Sequence, residues 1–116
     1  MKSVRLKRVY EPAAADDGVR VLVDRIWPRG MTKERLKADR WMKDIAPSSA
    51  LRKWFGHDPA KWSEFRKRYV RELEGNAELV AELRLAAGKK TVTLLFAAQD
   101  EEHNNAVVLA EVLRGR

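Results

Sequence analysis

The sequence predicts an α/β fold: a small, open, mostly parallel sheet of three or four strands flanked by helices, Rossmann-like in its layering. Three observations carry that reading. Thr91-Val92-Thr93-Leu94-Leu95-Phe96-Ala97-Ala98 is a nearly continuous apolar run, the pattern of a strand buried on both faces in the middle of a parallel sheet. A few residues later an apolar helix begins, and a buried strand feeding a helix favours crossover connections. Two shorter strand-like segments stand near the N-terminus, separated from this one by a long helical stretch.

The elements follow in order. Val4-Arg5-Leu6-Lys7-Arg8-Val9-Tyr10 alternates apolar with basic residues, the period of a half-buried strand. Glu11 to Gly18 gathers Pro, Asp-Asp and Gly and reads as a loop. Val19-Arg20-Val21-Leu22-Val23 is a compact second strand, and Asp24 to Gly30 an irregular turn after it. Thr32 suits the N-cap of a short helix over 33–38. Trp41-Met42-Lys43-Asp44-Ile45, ahead of Pro47, fits either a short strand or an extended passage. Ser48 caps a helix in which Leu51, Trp54 and Phe55 share a face, and Gly56 ends it. Asp58-Pro59 places a cap before a Pro at the first helical position. The helix it opens carries Trp62, Phe65, Tyr69 and Leu73 on one side, and Gly75 closes it. Asn76 caps the next, with Leu79, Val80, Leu83 and Ala86 inward and Gly88 closing it. Asn104 or Asn105 caps the last helix, with Val108, Leu109, Val112 and Leu113 inward and Gly115 at its end.

Length and composition bound the function. The 116 residues, 45% of them hydrophobic, suit one α/β domain over 1–116. The chain has no Cys, which excludes disulfides, thiolate metal sites and thiol nucleophiles and fits a reducing, cytoplasmic compartment. No apolar run approaches the ~18 residues of a membrane span, and Met1-Lys2-Ser3-Val4-Arg5 leads into no secretory apolar stretch. No membrane partner is therefore expected. With two His and no Cys, no dedicated metal site is expected either. No cofactor is expected, since G-x-G-x-x-G, the P-loop, H-E-x-x-H and G-x-S-x-G are all absent.

The chain carries a net charge of +7, and basic surfaces attract nucleic acid, anionic lipid and phosphate ligands. The excess is uneven. Residues 1–46 hold 12 Lys/Arg against 7 Asp/Glu, residues 47–75 hold 7 against 4, and residues 76–116 hold 5 against 6. Acids are interspersed throughout, so a solvated surface explains the charge better than a nucleic-acid face does.

Ligands of open α/β sheets bind beyond the carboxyl ends of the strands, and two segments qualify. The first is Asp24-Arg25-Ile26-Trp27-Pro28-Arg29-Gly30. Pro28 restricts its own φ and that of Trp27, Gly30 permits positive φ, and Arg25 and Arg29 offer forked donors suited to phosphate or carboxylate. A purely structural role is the competing reading: Trp27 plugging the sheet edge and Asp24 paired with an Arg. The second segment is Gln99-Asp100-Glu101-Glu102-His103-Asn104-Asn105, at a strand-to-helix junction whose free N–H groups favour anions. His103 beside Asp100 is a candidate general base oriented by a carboxylate, against the alternative of a capping histidine. In Trp54-Phe55-Gly56-His57-Asp58-Pro59, local helix-ending rules account for His57. Trp54, Trp62, Phe65 and Tyr69 at helical spacing read as core rather than as a base-stacking surface.

Leu6-Lys7-Arg8-Val9-Tyr10, the Val23-Asp24-Arg25-Ile26-Trp27-Pro28-Arg29-Gly30 stretch, Trp54-Phe55-Gly56-His57 and Leu94-Leu95-Phe96-Ala97-Ala98 together resemble the YeaO-like family, part of the domain of unknown function 488 superfamily. The resemblance covers nearly the whole chain. It implies a cytoplasmic, single-domain α/β protein of bacterial type, and it implies no activity. One departure stands out. The family pattern shows Asn-His at the start of the last helix, and more distant relatives place a Cys-His-Arg cluster there, whereas this chain has Asn104-Asn105-Ala106. Asn hydrogen-bonds but does not exchange protons near neutral pH, so any acid–base role of that His is absent here unless His103 replaces it.

The reading these residues favour is a site for a small anionic molecule bearing phosphate or carboxylate. Arg25 and Arg29 hold the anion, Trp27 walls the pocket, and Asp24, Asp100, His103, Asn104 and Asn105 orient the polar end. Whether the site is enzymatic is open at this point. The alternative is a nucleic-acid-binding or regulatory module using the basic surface of residues 1–75; a protein-interaction domain with a structural Asp24–Arg29 network is a third. Substrate, reaction and oligomeric state are not legible.

Overall fold

The computed structural model describes residues 3–115; Met1, Lys2 and Arg116 lie outside the described residues. Among these, β1 (Val4–Arg8), β2 (Val19–Leu22), β3 (Arg40–Trp41) and β4 (Val92–Phe96) form one sheet in the order β1-β4-β2-β3. Every pairing is parallel. The expectation of a mostly parallel α/β sheet holds, and β4 is the inner strand its apolar run implies, with all five residues buried.

The helices are α1 (Lys33–Leu36), α2 (Ser49–Phe55), α3 (Trp62–Glu74), α4 (Ala77–Lys89) and α5 (Asn105–Leu113). Several caps act as their residue types dictate. Thr32, Ser48 and Asn104 each accept a hydrogen bond from a first-turn N–H, and Gly56 ends α2 in the left-handed region. Others differ from expectation. Gly88 does not close α4, which continues to Lys89 before Lys90 turns extended into β4. Asn76 makes no side-chain cap; its amide donates instead to the Asp44 carbonyl at 3.1 Å. Pro59–Lys61 forms a 3-10 turn ahead of α3, with Asp58 accepting from the Ala60 N–H. The ambiguous 41–45 passage divides into the two-residue edge strand β3 and a 3-10 turn over Lys43–Ile45.

Strand alternation sorts side chains onto two faces. Val21, Val23, Val92, Leu94 and Phe96 face the large core, which α2, α3, α4 and α5 complete with residues such as Phe65, Tyr69, Leu83 and Leu109. Leu22 and Leu95 face the other way, into a small core with Val9, Met31 and Leu36. That second face also carries a buried polar network. Asp17 accepts from Lys7, Arg20 and the Ala14 N–H, and Arg20 donates further to the carbonyls of Leu36 and Lys37. Gly18, at φ 66°, is obligatory beside it, because a Cβ there would lie 2.1 Å from the Thr91 carbonyl oxygen.

No helix among the described residues is long and apolar enough to cross a membrane.

Candidate functional site

The chain leaves β2 towards α1, whose Leu36 lies in the small core, and leaves β4 towards α5, whose Val108 and Leu109 lie in the large one. Neighbouring strands β2 and β4 thus send their continuations to opposite faces. Such a divergence opens a crevice at the strand carboxyl ends, the usual ligand position in open parallel sheets.

On the β2 side, Pro28-Arg29-Gly30-Met31 forms a tight turn closed by Met31 N–H to the Pro28 carbonyl at 3.3 Å, with Gly30 at φ 74°. Positive φ at the third position is the demand of a type II turn. The Trp27 indole N–H donates to the Met31 carbonyl at 2.6 Å, and its ring meets Trp41 edge-on. Tyr10 donates its hydroxyl to the Arg29 carbonyl at 2.9 Å. The Arg29 backbone is thereby held while its side chain stays exposed.

On the β4 side, Asp100 organises the approach to α5. Its carboxylate accepts from the N–H groups of Glu102 and His103 and pairs with His103 Nδ1 at 2.9 Å. Those backbone and side-chain donors hold the Asp100 carboxyl below its ordinary range. Asn104 caps the helix through the Val107 N–H and donates to the Asp100 carbonyl.

Asp24 joins the two sides. Its carboxylate accepts from Ala97 N–H at 2.9 Å and from the Asn105 amide at 3.2 Å, and that same amide donates to the Val23 carbonyl at 2.9 Å. Burial pushes the Asp24 carboxyl above its usual pKa; the Ala97 and Asn105 donors and the nearby His57 and Arg52 charges pull the other way without cancelling it.

Between these segments lies an open cleft of about 810 Å³. The structure brings Asp24, Arg25, Trp27, Arg29, Asp100, Asn104 and Asn105 into its lining. His103 stands outside that lining, its ring against Trp62 at 5.2 Å. Arg25 is partly committed to the fold, since its guanidinium donates to the carbonyls of Pro47 and Ala46 at 3.0 and 3.2 Å.

Sequence reasoning misses Arg52 and His57, which reach the cleft from the end of α2. The sequence marks His57 by its place after Gly56 and in the Trp54-Phe55-Gly56-His57 segment, and helix-ending rules account for it there. In the structure it adopts φ 57°, a left-handed conformation uncommon outside glycine. Aromatic side chains from Tyr10, Phe55 and Phe65 add apolar wall. No Ser, Thr, Cys or Lys is among the described residues lining the cleft; the side chains there of a type able to act as nucleophiles are Tyr10, Asp24, His57 and Asp100. No group of three or more His, Asp or Glu among the described residues is placed to hold a metal ion.

A sequence model of the family described as the inactive DUF488-N3 subclade matches residues 3–116. The uncharacterized protein Rv3073c of Mycobacterium tuberculosis is 48% identical over 113 residues, covering 97% of this chain and 95% of that protein. The uncharacterized protein YeaO of Escherichia coli is 43% identical over 112 residues, covering 97% of each. No solved structure matches the chain.

Proposed function

The chain belongs to the DUF488-N3 family, in the subclade described as inactive, and on that premise we propose that it is a binding protein without catalytic activity. Its cleft at the strand carboxyl ends takes a small anionic molecule bearing phosphate or carboxylate. The observation that carries this reading is that Arg29 and Arg52 line one cleft, at a strand-end crevice, with neither guanidinium engaged by a hydrogen bond or ion pair among the described residues. A guanidinium presents a rigid fork of donors matched to phosphate and carboxylate oxygens. Arg25, anchored through two of its donors, adds positive charge at a set position, and Asn104 and Asp100 shape the rim. The description of the family supports binding over catalysis.

Calorimetric titration with inorganic phosphate and ribose 5-phosphate tests this. Losing a hydrogen bond to a charged group typically weakens binding by about 1.5–3 kcal/mol, so Arg29→Ala and Arg52→Ala should each lower affinity by roughly 10-fold or more. Unchanged binding in the double variant would defeat the proposal. The alternative, a nucleic-acid-binding or regulatory module on the basic surface of residues 1–75, is separated by salt. Contacts to several phosphates would make affinity for DNA or RNA fall by orders of magnitude between ~50 and ~200 mM salt.

A further inference from the structure

A cleft built only to hold an anion gains nothing from a carboxylate in its wall, because like charges repel. Asp24 nevertheless lines this one where β2, β4 and α5 meet. Each of its oxygens holds one protein donor, Oδ2 that of Ala97 and Oδ1 that of Asn105. An ionised carboxylate has about four acceptor positions, so both oxygens keep capacity for a ligand's N–H groups. The same cleft presents the rings of Tyr10, Trp27 and Phe55, and the unengaged guanidiniums of Arg29 and Arg52. Hydrogen-bond acceptor, aromatic wall and cation therefore converge on one space. Its volume of about 810 Å³ falls within the ~300–1,000 Å³ of small-molecule sites.

Building on the anion-binding reading, we infer that the occupant is a nucleoside monophosphate whose base carries an exocyclic amino group. The amino group donates to Asp24, the ring packs against the aromatic side chains, and the phosphate lies between Arg29 and Arg52. Base recognition by a half-buried acceptor is selective. A ligand that presents a carbonyl oxygen in place of the amino group leaves Asp24 facing another acceptor, and such mismatches discriminate strongly.

The test is calorimetric titration of the full chain with inorganic phosphate, ribose 5-phosphate, AMP, CMP and UMP at one fixed salt concentration. AMP and CMP should bind at least about 10-fold more tightly than ribose 5-phosphate, and UMP at least about 10-fold more weakly than CMP. Asp24→Asn should abolish the difference between CMP and UMP while phosphate binding persists. If that variant fails to fold, the wild-type series decides without it. Equal affinities for AMP and ribose 5-phosphate, or for CMP and UMP, overturn the inference while leaving the anion site standing. Failure of all five compounds to bind removes the anion site and this inference together.

Discussion

Asp17, Lys7 and Arg20 on the sparsely covered face of the sheet, and Asp24, Arg29 and Arg52 at its carboxyl edge, are two clusters of one carboxylate and two cations. The first is closed. The Asp17 side chain is 1% exposed and that of Arg20 6%, and Arg20 uses its Nε, Nη1 and Nη2 donors on Lys37, Asp17 and Leu36. The second is open, with Arg29 and Arg52 exposed and the Asp24 oxygens only partly occupied. Closure is what a folding role requires, since a buried charge left unpaired is costly. Open donors at a strand-end crevice are what a binding role requires. The difference lies in the partners each charge finds, and residue type alone does not reveal it.

The largest effect should come from breaking the closed cluster. Asp17→Ala leaves Arg20 and Lys7 without their carboxylate and removes the acceptor for the Ala14 N–H. Removing one member of a buried pair typically costs about 3–5 kcal/mol. Urea denaturation should show that loss as a lower midpoint. A loss below ~1 kcal/mol, the usual value of a surface pair, would show that the network is not closed in solution.

Acid should expose the same cluster with a smaller amplitude. Burial opposes ionisation of Asp17, but the hydrogen bonds from Lys7, Ala14 and Arg20 outweigh it and bring its pKa from 3.8 to about 2. A depressed native pKa stabilises the fold above the unfolded value and loses that contribution as pH falls through the native one. The stability gap between wild type and Asp17→Asn should therefore narrow by about 2 kcal/mol between pH 5 and 2. A gap that stays constant would contradict the ion-paired state of Asp17.

Asp24 should respond with the opposite sign. Its native pKa is raised by burial, so the unfolded chain ionises first as pH climbs past the ordinary carboxylate range, and wild type loses stability there. Asp24→Asn has no such proton to release, so it should gain on wild type between pH 3 and 7 in denaturation experiments. A gain running the other way would place Asp24 with Asp17, as a carboxylate held ionised by the fold.

How much of this was legible depends on where the information lies. Burial on both faces writes itself into β4 as an apolar run, and the Pro28–Gly30 turn is marked by residues with narrow backbone preferences. The edge strand β3 is two exposed residues, Arg40 and Trp41, with no apolar pattern to show it. Gly88 misleads because glycine is tolerated within a helix at a cost of about 1 kcal/mol, which the packing of Val80, Leu83 and Ala87 in the turns before it offsets. The cleft was half legible. Residues following β2 and β4 are found by the strand-end rule, whereas Arg52 and His57 arrive through the docking of α2. The carbonyls of Ala46 and Pro47 that hold Arg25 are likewise distant in sequence, so nothing local separates the anchored arginine from the free one.

That separation makes Arg29 the sharpest probe with the smallest effect on folding. The Arg29 backbone is held by Tyr10 and by the Gly30 turn, and neither contact involves its side chain. Arg29→Ala removes an exposed guanidinium, which contributes less than ~1 kcal/mol to stability when no buried partner is lost. Arg25→Ala removes donors from two carbonyls and should cost more, about 1–3 kcal/mol if those carbonyls stay unsatisfied. The order should reverse for phosphate affinity, with Arg29→Ala weakening binding more than Arg25→Ala. Thermal melts and phosphate titrations on the two variants measure both orders. If Arg29→Ala melts well below Arg25→Ala while phosphate affinity is unchanged in both, the carboxyl-edge cluster is structural like its counterpart, and the contrast between open and closed charges fails.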